Sequence, residues 1–507
     1  MDMNDYCIVG AGPGGLQMGY FMKQNGWNYK MFEKESTPDN EDLLFTKYSN
    51  DYFPHADSML TYLNDYAMMN DLNIMYNTEI EKVSYDKMND KCRFKLQIMG
   101  AMKQCCKTLV MASGMSQLKH LNISGNEHLD SYDKMSTNPK DYEGKSVLII
   151  GKGNSAFEIA SSIYGVTNYV HLVSRNRLRM SWETHYTGDL RGVSNEVLDA
   201  YQLKSLDTVL EADASKFTVT KGADGMLHVT SSEGNLTTRD SSPMRQGYDK
   251  VIECVGFQWD DSVFEGGHPS TMYPEHTYPV IKTDFESEQY PGLYFAGNLA
   301  HSLDYRKSSG GFIHGFRYTA KALSKILARK NEDKSWPSMD YKMDKLTNHL
   351  LTRASESSAI YQMYGYLCDV AVLDKDSNMF KYYEEFPIKN LKDFAYYAKM
   401  DKTEEMKPSI VLCKDYGRNF SGPGMDVFGP SRSVTSPDEA ANSKYLHPWI
   451  YLFNNVPKCL KEATYVHHVL EDSTYTFDGP MSHVKPFEMV LDKFLSGVKL
   501  HMMKSEL

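Results

Sequence analysis

Tyr6-Cys-Ile-Val9, Gly10-Ala-Gly12-Pro-Gly-Gly15 and Leu16-Gln-Met-Gly-Tyr-Phe-Met22 follow one another near the start of the chain. The first four residues are an apolar run suited to a strand buried on both faces. The last seven read as a helix. Between them, Gly10 lets the chain turn sharply, Gly12 lets backbone approach a pyrophosphate, and Gly15 allows close packing of helix on strand. Pro13 and Gly14 open the helix, whose N-terminus offers N–H groups and a positive dipole end to an anion. Tyr29-Lys-Met-Phe32 is a second strand, and Glu33 ends it 18 residues past Gly15, where such folds set an acid on a ribose hydroxyl. Strand, glycines, helix, strand and acid in this order predict a dinucleotide fold.

The pattern repeats. Ser146-Val-Leu-Ile-Ile150 is a strand, Gly151-Lys-Gly153-Asn154-Ser155-Ala156 is a second glycine loop, and Phe157 to Ile163 continues as a helix. The next strand, Tyr169-Val-His-Leu-Val173, runs into Ser174-Arg175-Asn-Arg177. An acid there would repel a ribose 2′-phosphate, whereas Arg175 and Arg177 can pair with one. The alternative is two solvated surface arginines. An acid in the first fold and arginines in the second resemble the layout of two-dinucleotide-binding flavoproteins, which implies FAD in the first and NADPH in the second.

Connecting segments fit this layout. Thr108 to Gly114 reads as the strand that leaves the first fold, and Val251 to Gly256 as the matching strand of the second. Gly292-Leu-Tyr-Phe-Ala-Gly297-Asn298 brings the chain back to the flavin. Ser308-Ser-Gly310-Gly311 opens a helix from Phe312 to Leu327 whose N-terminus faces phosphate or the isoalloxazine. His301, Asp304, Arg306 and Lys307 lie beside this return, either as flavin contacts or as a polar loop.

Composition narrows the class. The chain has 507 residues, 55 basic against 66 acidic, and a net charge of −11. That argues against a nucleic-acid partner, which needs a basic footprint. No run of about 18 apolar residues is present, so no membrane span is expected. None of the eight cysteines forms a C-x-x-C. Cys105 and Cys106 are adjacent before the strand ending at Gly114. Neighbouring strand residues point to opposite faces, so their thiols should diverge, and no redox-active dithiol is expected. Cys7 and Cys254 lie in different strands, and spacing leaves a tertiary pairing between them open.

Longer motifs carry a more specific likeness. These are Asp5 to Met18, Phe53-Pro54 with the helix through Ala67, Gly151 to Glu158, Ser181-Trp-Glu-Thr-His-Tyr-Thr-Gly-Asp-Leu-Arg191, Tyr201 to Asp207, and Asp304 to Arg317. With Asn419-Phe-Ser-Gly-Pro423 and Leu446-His-Pro448, they make the chain resemble the family of FAD-dependent oxidoreductase domain-containing protein 2. These are luminal flavoproteins of the endoplasmic reticulum associated with degradation and related to flavin monooxygenases. The resemblance implies an NADPH-dependent FAD oxidoreductase acting in glycoprotein quality control beside a disulfide reductase and lectin-type adaptors. Val83 is also placed in the cofactor-contacting set. The alternatives are a flavin monooxygenase and a non-enzymatic adaptor that keeps the fold. Only nine residues separate Glu33 from Leu43, where the family carries a longer insertion, so either a lighter flavin lid or an incomplete gene model is expected. Asn298 stands where disulfide-reductase relatives have Asp. The monooxygenase signature F-x-G-x-x-x-H is not intact at Ile123 to His128, and His128 reads as a solvated loop residue.

The fold class is therefore α/β: two Rossmann-like dinucleotide-binding domains and a C-terminal module. The FAD-binding domain is drawn from 1–120 and 250–330, the NADPH-binding domain from 140–249, and the module from 331–507. His349 to Leu373 reads as a mixed apolar helical stretch, with Tyr361, Tyr364 and Tyr366 in core or interface. The chain ends Lys504-Ser505-Glu506-Leu507, which resembles a lumenal retrieval signal. Three N-x-S/T sequons at Asn122, Asn235 and Asn419 suit a luminal surface. A retrieval tail without a basic leader before Tyr6 predicts a further N-terminal exon.

Overall fold

The computed structural model describes residues 2–34, 44–51, 54–100, 103–176, 178–189, 209–233, 247–265, 277–420, 436–470 and 481–497, with 197, 269, 271–272, 429 and 432–434. Arg177, Asn235 and the Lys504 to Leu507 tail lie outside them. Among the described residues the chain divides into two units, one holding Met1–Met115 with Trp259 and beyond, the other Ser116–Gln258.

The first unit opens with the strand Asp2–Val9, whose Tyr6, Cys7 and Ile8 are buried. A strand covered on both faces needs apolar side chains at successive positions, which is what this run supplies. It pairs in parallel with Tyr29–Phe32 on one side and Lys103–Met111 on the other. Beyond Tyr29–Phe32 comes Ile74–Met75, also parallel. Strand Lys103–Met111 divides its far edge. Its first half pairs antiparallel with Phe94–Ile98, its second half parallel with Leu293–Phe295. Helix Pro13–Gln24 crosses from the first strand to the second. Helix Ile313–Glu332 buries Phe316, Ala320, Leu323 and Leu327, spaced along one helical face.

The second unit is a five-stranded sheet in the order Val209–Glu211, Tyr169–Ser174, Ser146–Ile150, Lys250–Glu253 and Asp130–Ser131, every pair parallel. All five residues of Ser146–Ile150 are buried. Together the mixed first sheet and the parallel second sheet, each with its glycine-loop helix, are the expected α/β architecture.

The region after Glu332 differs from its sequence reading. Helices Leu346–Glu356 and Ser358–Gln362 form, but Leu367–Asp374 is a strand and no helix continues through it. It belongs to a six-stranded antiparallel sheet ordered Ser338–Lys342, Met379–Pro387, Leu367–Asp374, Ser409–Tyr416, Leu446–Phe453 and Tyr465–His468. Ala371, Leu373, Ile410 and Leu412 pack into a core with Leu350, Phe487 and Leu491 of the flanking helices. Cys368, Val370, Val411 and Cys413, on the opposite face, join the core that also contains Ile8, Leu109 and Leu323. The sheet thus shares one apolar interior with the first dinucleotide fold. Burial on both faces erases the alternation that marks a strand.

Candidate dinucleotide sites

The two glycine loops are built alike. Gly10 donates its N–H to Phe32 O at 2.9 Å, and Gly151 donates to Val173 O at 2.9 Å. Ala112 donates to Val9 O, and Cys254 to Ile150 O, both at 2.8 Å. Each loop is therefore stitched to the strand on either side of it. Gly10 takes φ +100°, and a Cβ there would lie 2.6 Å from Ala112 O. At Gly14 a Cβ would meet Gly297 Cα at 2.4 Å, because the end of the return strand sits directly on the start of the helix. Gly15 packs against Gly10 O in the same way.

Gly12 and Gly153 behave differently. Each precedes its helix with extended ψ, 178° and 179°, and among the described residues each has no heavy atom within 4 Å of where a Cβ would stand. Among the described residues neither loop position is filled by protein, and each glycine caps the start of its helix. Two buried side-chain oxygens point to polar occupants. Ser113 Oγ, beside Gly10 and before Gly114, and Asn154 Oδ1, at the start of helix Asn154–Ile163, have no hydrogen-bond partner among the described residues. Buried polar atoms are rarely left so, and a bound ligand is one account of them. Ser113 was not singled out from the sequence; its signal was its place between the strand end and Gly114.

Glu33 stands where expected, at the end of Tyr29–Phe32, and its Oε2 accepts the Ala11 N–H at 2.6 Å. The carboxylate is thus held beside the first glycine loop. Val83 falls within Ile80–Tyr85; its side chain is buried and its N–H is given to Val263 O at 2.7 Å. Gly297 takes φ +65° beside half-buried Asn298.

In the second unit, Gly153, Asn154 and Ser155 line a cavity of about 130 Å³ with His120, Glu253 and Gly256. His120 Nδ1 lies 2.9 Å from Glu253 Oε2, and Leu121 N–H donates to the same carboxylate. This pair was missed from the sequence, since 133 residues separate its members. Ala156 is buried in the helix behind. Arg175 is exposed at the end of Tyr169–Ser174, within electrostatic reach of Asp213, whose carboxyl is held low chiefly by Ser215. Lys152 Nζ donates to Asn176 O at 2.8 Å, bringing a second cation to that strand end.

The loop after Asn298 is tightly bonded. Asp304 is buried and accepts Ser308 Oγ–H, Ser308 N–H and Gly310 N–H. Burial pushes its carboxyl up to about 6 against these bonds. His301 is buried against Gly311, and burial, then Arg306, push its imidazole down to about 4. The C-terminal region meets this loop directly: Tyr364 OH donates to Lys307 O at 2.6 Å, and Lys389 Nζ to Leu303 O. Tyr366 is buried, as expected, while Tyr361 is 42% exposed.

Cys105 and Cys106 diverge. Cys105 is bonded to Cys92 across a Cα–Cα distance of 5.3 Å, within the usual disulfide range. Cys106 is buried against Cys7 instead, and burial holds its thiol well above the usual range. The Cys92–Cys105 bond was not legible in the sequence because the hairpin register that joins them was not read. Asn122 and Asn419 are both exposed. No group of three or more metal-ligating side chains occurs among the described residues, and no described helix is long and apolar enough to cross a membrane.

Known proteins match this architecture. The pyridine nucleotide-disulphide oxidoreductase family matches residues 38–297. Bacillithiol disulfide reductase from Staphylococcus aureus superimposes with a TM-score of 0.50 at 18% identity, over 65% of this chain and all of that one, a likeness of fold. The zebrafish FAD-dependent oxidoreductase domain-containing protein 2 is 30% identical over 97% of this chain and 83% of its own length. The mouse protein of the same name is 37% identical over 97% of this chain and 84% of its own length. The chain therefore belongs to the family of FAD-dependent oxidoreductase domain-containing protein 2.

Proposed function

We propose that this protein is an NADPH-dependent FAD oxidoreductase of the endoplasmic reticulum lumen that passes electrons to an external acceptor. The observation that carries the reading is the duplicated loop geometry, with open space at Gly12 and Gly153 over two helix N-termini. FAD in the first site would be held by the backbone around Gly12 to Gly15, by Glu33 and by Ser113. When bound, it supplies the hydride and electron chemistry, while the protein supplies position and electrostatics. Asn154, Ser155 and the Gly153 N-terminus would hold the second dinucleotide. Arg175, Lys152 and, by sequence, Arg177 would favour a 2′-phosphate there.

His301, held neutral by burial, can orient a ligand without bringing positive charge to the first site. Asp304 fixes the loop that carries Gly310 and Gly311 through its three accepted hydrogen bonds. The Cys92–Cys105 disulfide supports an oxidising compartment, as do the exposed sequon residues Asn122 and Asn419. The partners proposed are a disulfide reductase and lectin-type adaptors of glycoprotein quality control and degradation.

The test is anaerobic mixing of the flavin-loaded protein with NADPH or NADH, followed by oxygen or a protein disulfide. Fast flavin bleaching by NADPH and recovery with the protein disulfide support the reading. Bleaching by neither nucleotide would end it, and recovery coupled to substrate hydroxylation would point to a monooxygenase.

A further inference from the structure

Six cysteines outside the Cys92–Cys105 bond are free thiols among the described residues, and two of them, Cys368 and Cys413, lie on neighbouring strands of the C-terminal sheet. The ladder between Leu367–Asp374 and Ser409–Tyr416 pairs Asp369 with Leu412, Val370 with Val411 and Ala371 with Ile410. One rung beyond Asp369 and Leu412, the same register sets Cys368 opposite Cys413. Directly opposed residues of an antiparallel pair point to the same face, with Cα atoms about 4.5–5.5 Å apart. That spacing lies inside the roughly 4.4–6.8 Å that a disulfide accepts.

Packing agrees with the register. Both thiols are buried, at 0% and 1% exposure, in the same apolar core as their strand neighbours Val370 and Val411. On this side the register holds from Asp369 to Val372 and shifts only beyond the cysteines, where Gly365 donates its N–H to Lys414 O at 2.9 Å. The irregularity of Leu367–Asp374 falls on its other edge, toward Met379–Pro387, where Glu385 takes φ +59°. The Cys368 S–H donates to Phe386 O at 3.3 Å. Burial first, and then Cys413, hold the Cys368 thiol well above its usual range.

We propose that Cys368 and Cys413 are a second disulfide-forming pair, closed by exchange with a small-molecule disulfide such as oxidised glutathione while the strands are still open. One cysteine thiolate attacks the small disulfide, forms a mixed disulfide and releases one small thiol. The other cysteine then displaces the second small thiol. Two protein S–H bonds are lost, one protein S–S bond forms, and the two protons end on the two small thiols. The protein pair is oxidised and the small disulfide reduced. Exchange requires the thiolate, and burial keeps both thiols protonated in the folded sheet, so closure belongs to folding and not to the native state. The bond would pin the strand that follows Tyr366 and Met363, the latter placed 3.8 Å from Ser308 Oγ. This proposal stands apart from the cofactor reading.

The test uses the full wild-type chain, unfolded and reduced, then refolded with oxidised and reduced glutathione. The product is denatured, alkylated, digested and mapped by mass spectrometry. Of the eight cysteines, two bonds leave four to be alkylated, whereas the Cys92–Cys105 bond alone leaves six. The expected result is a linked peptide pair containing Cys368 and Cys413, lost on treatment with dithiothreitol. Alkylation of both residues after oxidative refolding would overturn the proposal, as would the pairing of either with a different cysteine.

Discussion

Replacing Gly12 or Gly14 by alanine adds one methyl group two residues apart in the same loop, with opposite consequences. At Gly14 the new Cβ would stand 2.4 Å from Gly297 Cα and 2.7 Å from Gly297 N. Carbon atoms settle about 3.5–4.0 Å apart, so helix and return strand must separate by more than about 1 Å. Both obstructing atoms are backbone, and neither can rotate away. Overpacking of this kind costs about 1–3 kcal/mol, and the upper end is expected here. At Gly12 the backbone, φ −66° and ψ 178°, suits alanine, and among the described residues nothing lies within 4 Å. The stability cost is that of a poorer helix cap, at most about 1 kcal/mol. The methyl group would instead occupy the space assigned to pyrophosphate. Losing one hydrogen bond to a charged group costs about 1.5–3 kcal/mol, or roughly 10- to 150-fold in FAD affinity. Urea unfolding of the flavin-free proteins measures the first effect, and FAD titration the second. A Gly12→Ala protein that binds FAD like wild type, or a Gly14→Ala protein as stable as wild type, would refute the reasoning.

Removing Arg175 and Arg177 together should weaken NADPH far more than NADH, by about 1.5–3 kcal/mol per lost charged hydrogen bond; equal losses in parallel titrations would show that they do not read a 2′-phosphate. Asp369 is fully buried and accepts bonds at 2.8 Å from Arg353 Nε, Tyr382 OH and Glu385 N–H. Arg353→Ala should therefore cost about 3–5 kcal/mol by leaving the carboxylate without its countercharge, and Tyr382→Phe clearly less, as read from urea midpoints. Acid should destabilise the fold between pH 6 and 5. Burial pushes His301 down to about 4 and His468 to about 3, so the unfolded chain binds two protons there that the folded chain does not. Asp304, raised to about 6, works in the opposite sense and returns one. The net of about one proton predicts a loss of about 1.4 kcal/mol per pH unit, and a stability that is flat or rises on acidification across that range would contradict it.

The dinucleotide folds were legible because each device in them is local. Tyr29–Phe32 and Ser146–Ile150 form with the bounds read from the sequence, since a buried parallel strand before a glycine loop leaves little choice. What was not legible depends on register between distant segments. Glu253 and His120 meet only once the strands Ser146–Ile150 and Lys250–Glu253 pair. Cys92 and Cys105 meet only through the hairpin that sets Phe94 against Cys106. Leu367 to Leu373 lost its strand signature because both of its faces are buried, one in each core. Asp369 interrupts that run only to accept Arg353, Tyr382 and a backbone N–H, a role no local pattern announces.

The central claim is that Gly12 to Gly15, Glu33 and Ser113 hold FAD. Its most direct test is the visible absorbance spectrum of the full chain after purification and FAD reconstitution, with bound flavin released and quantified against protein. The account predicts one flavin per chain, absent from Gly12→Glu, whose side chain would fill the pyrophosphate space with negative charge. A wild-type protein that folds cooperatively yet retains no flavin after reconstitution would contradict it and leave an adaptor built on a flavoprotein fold.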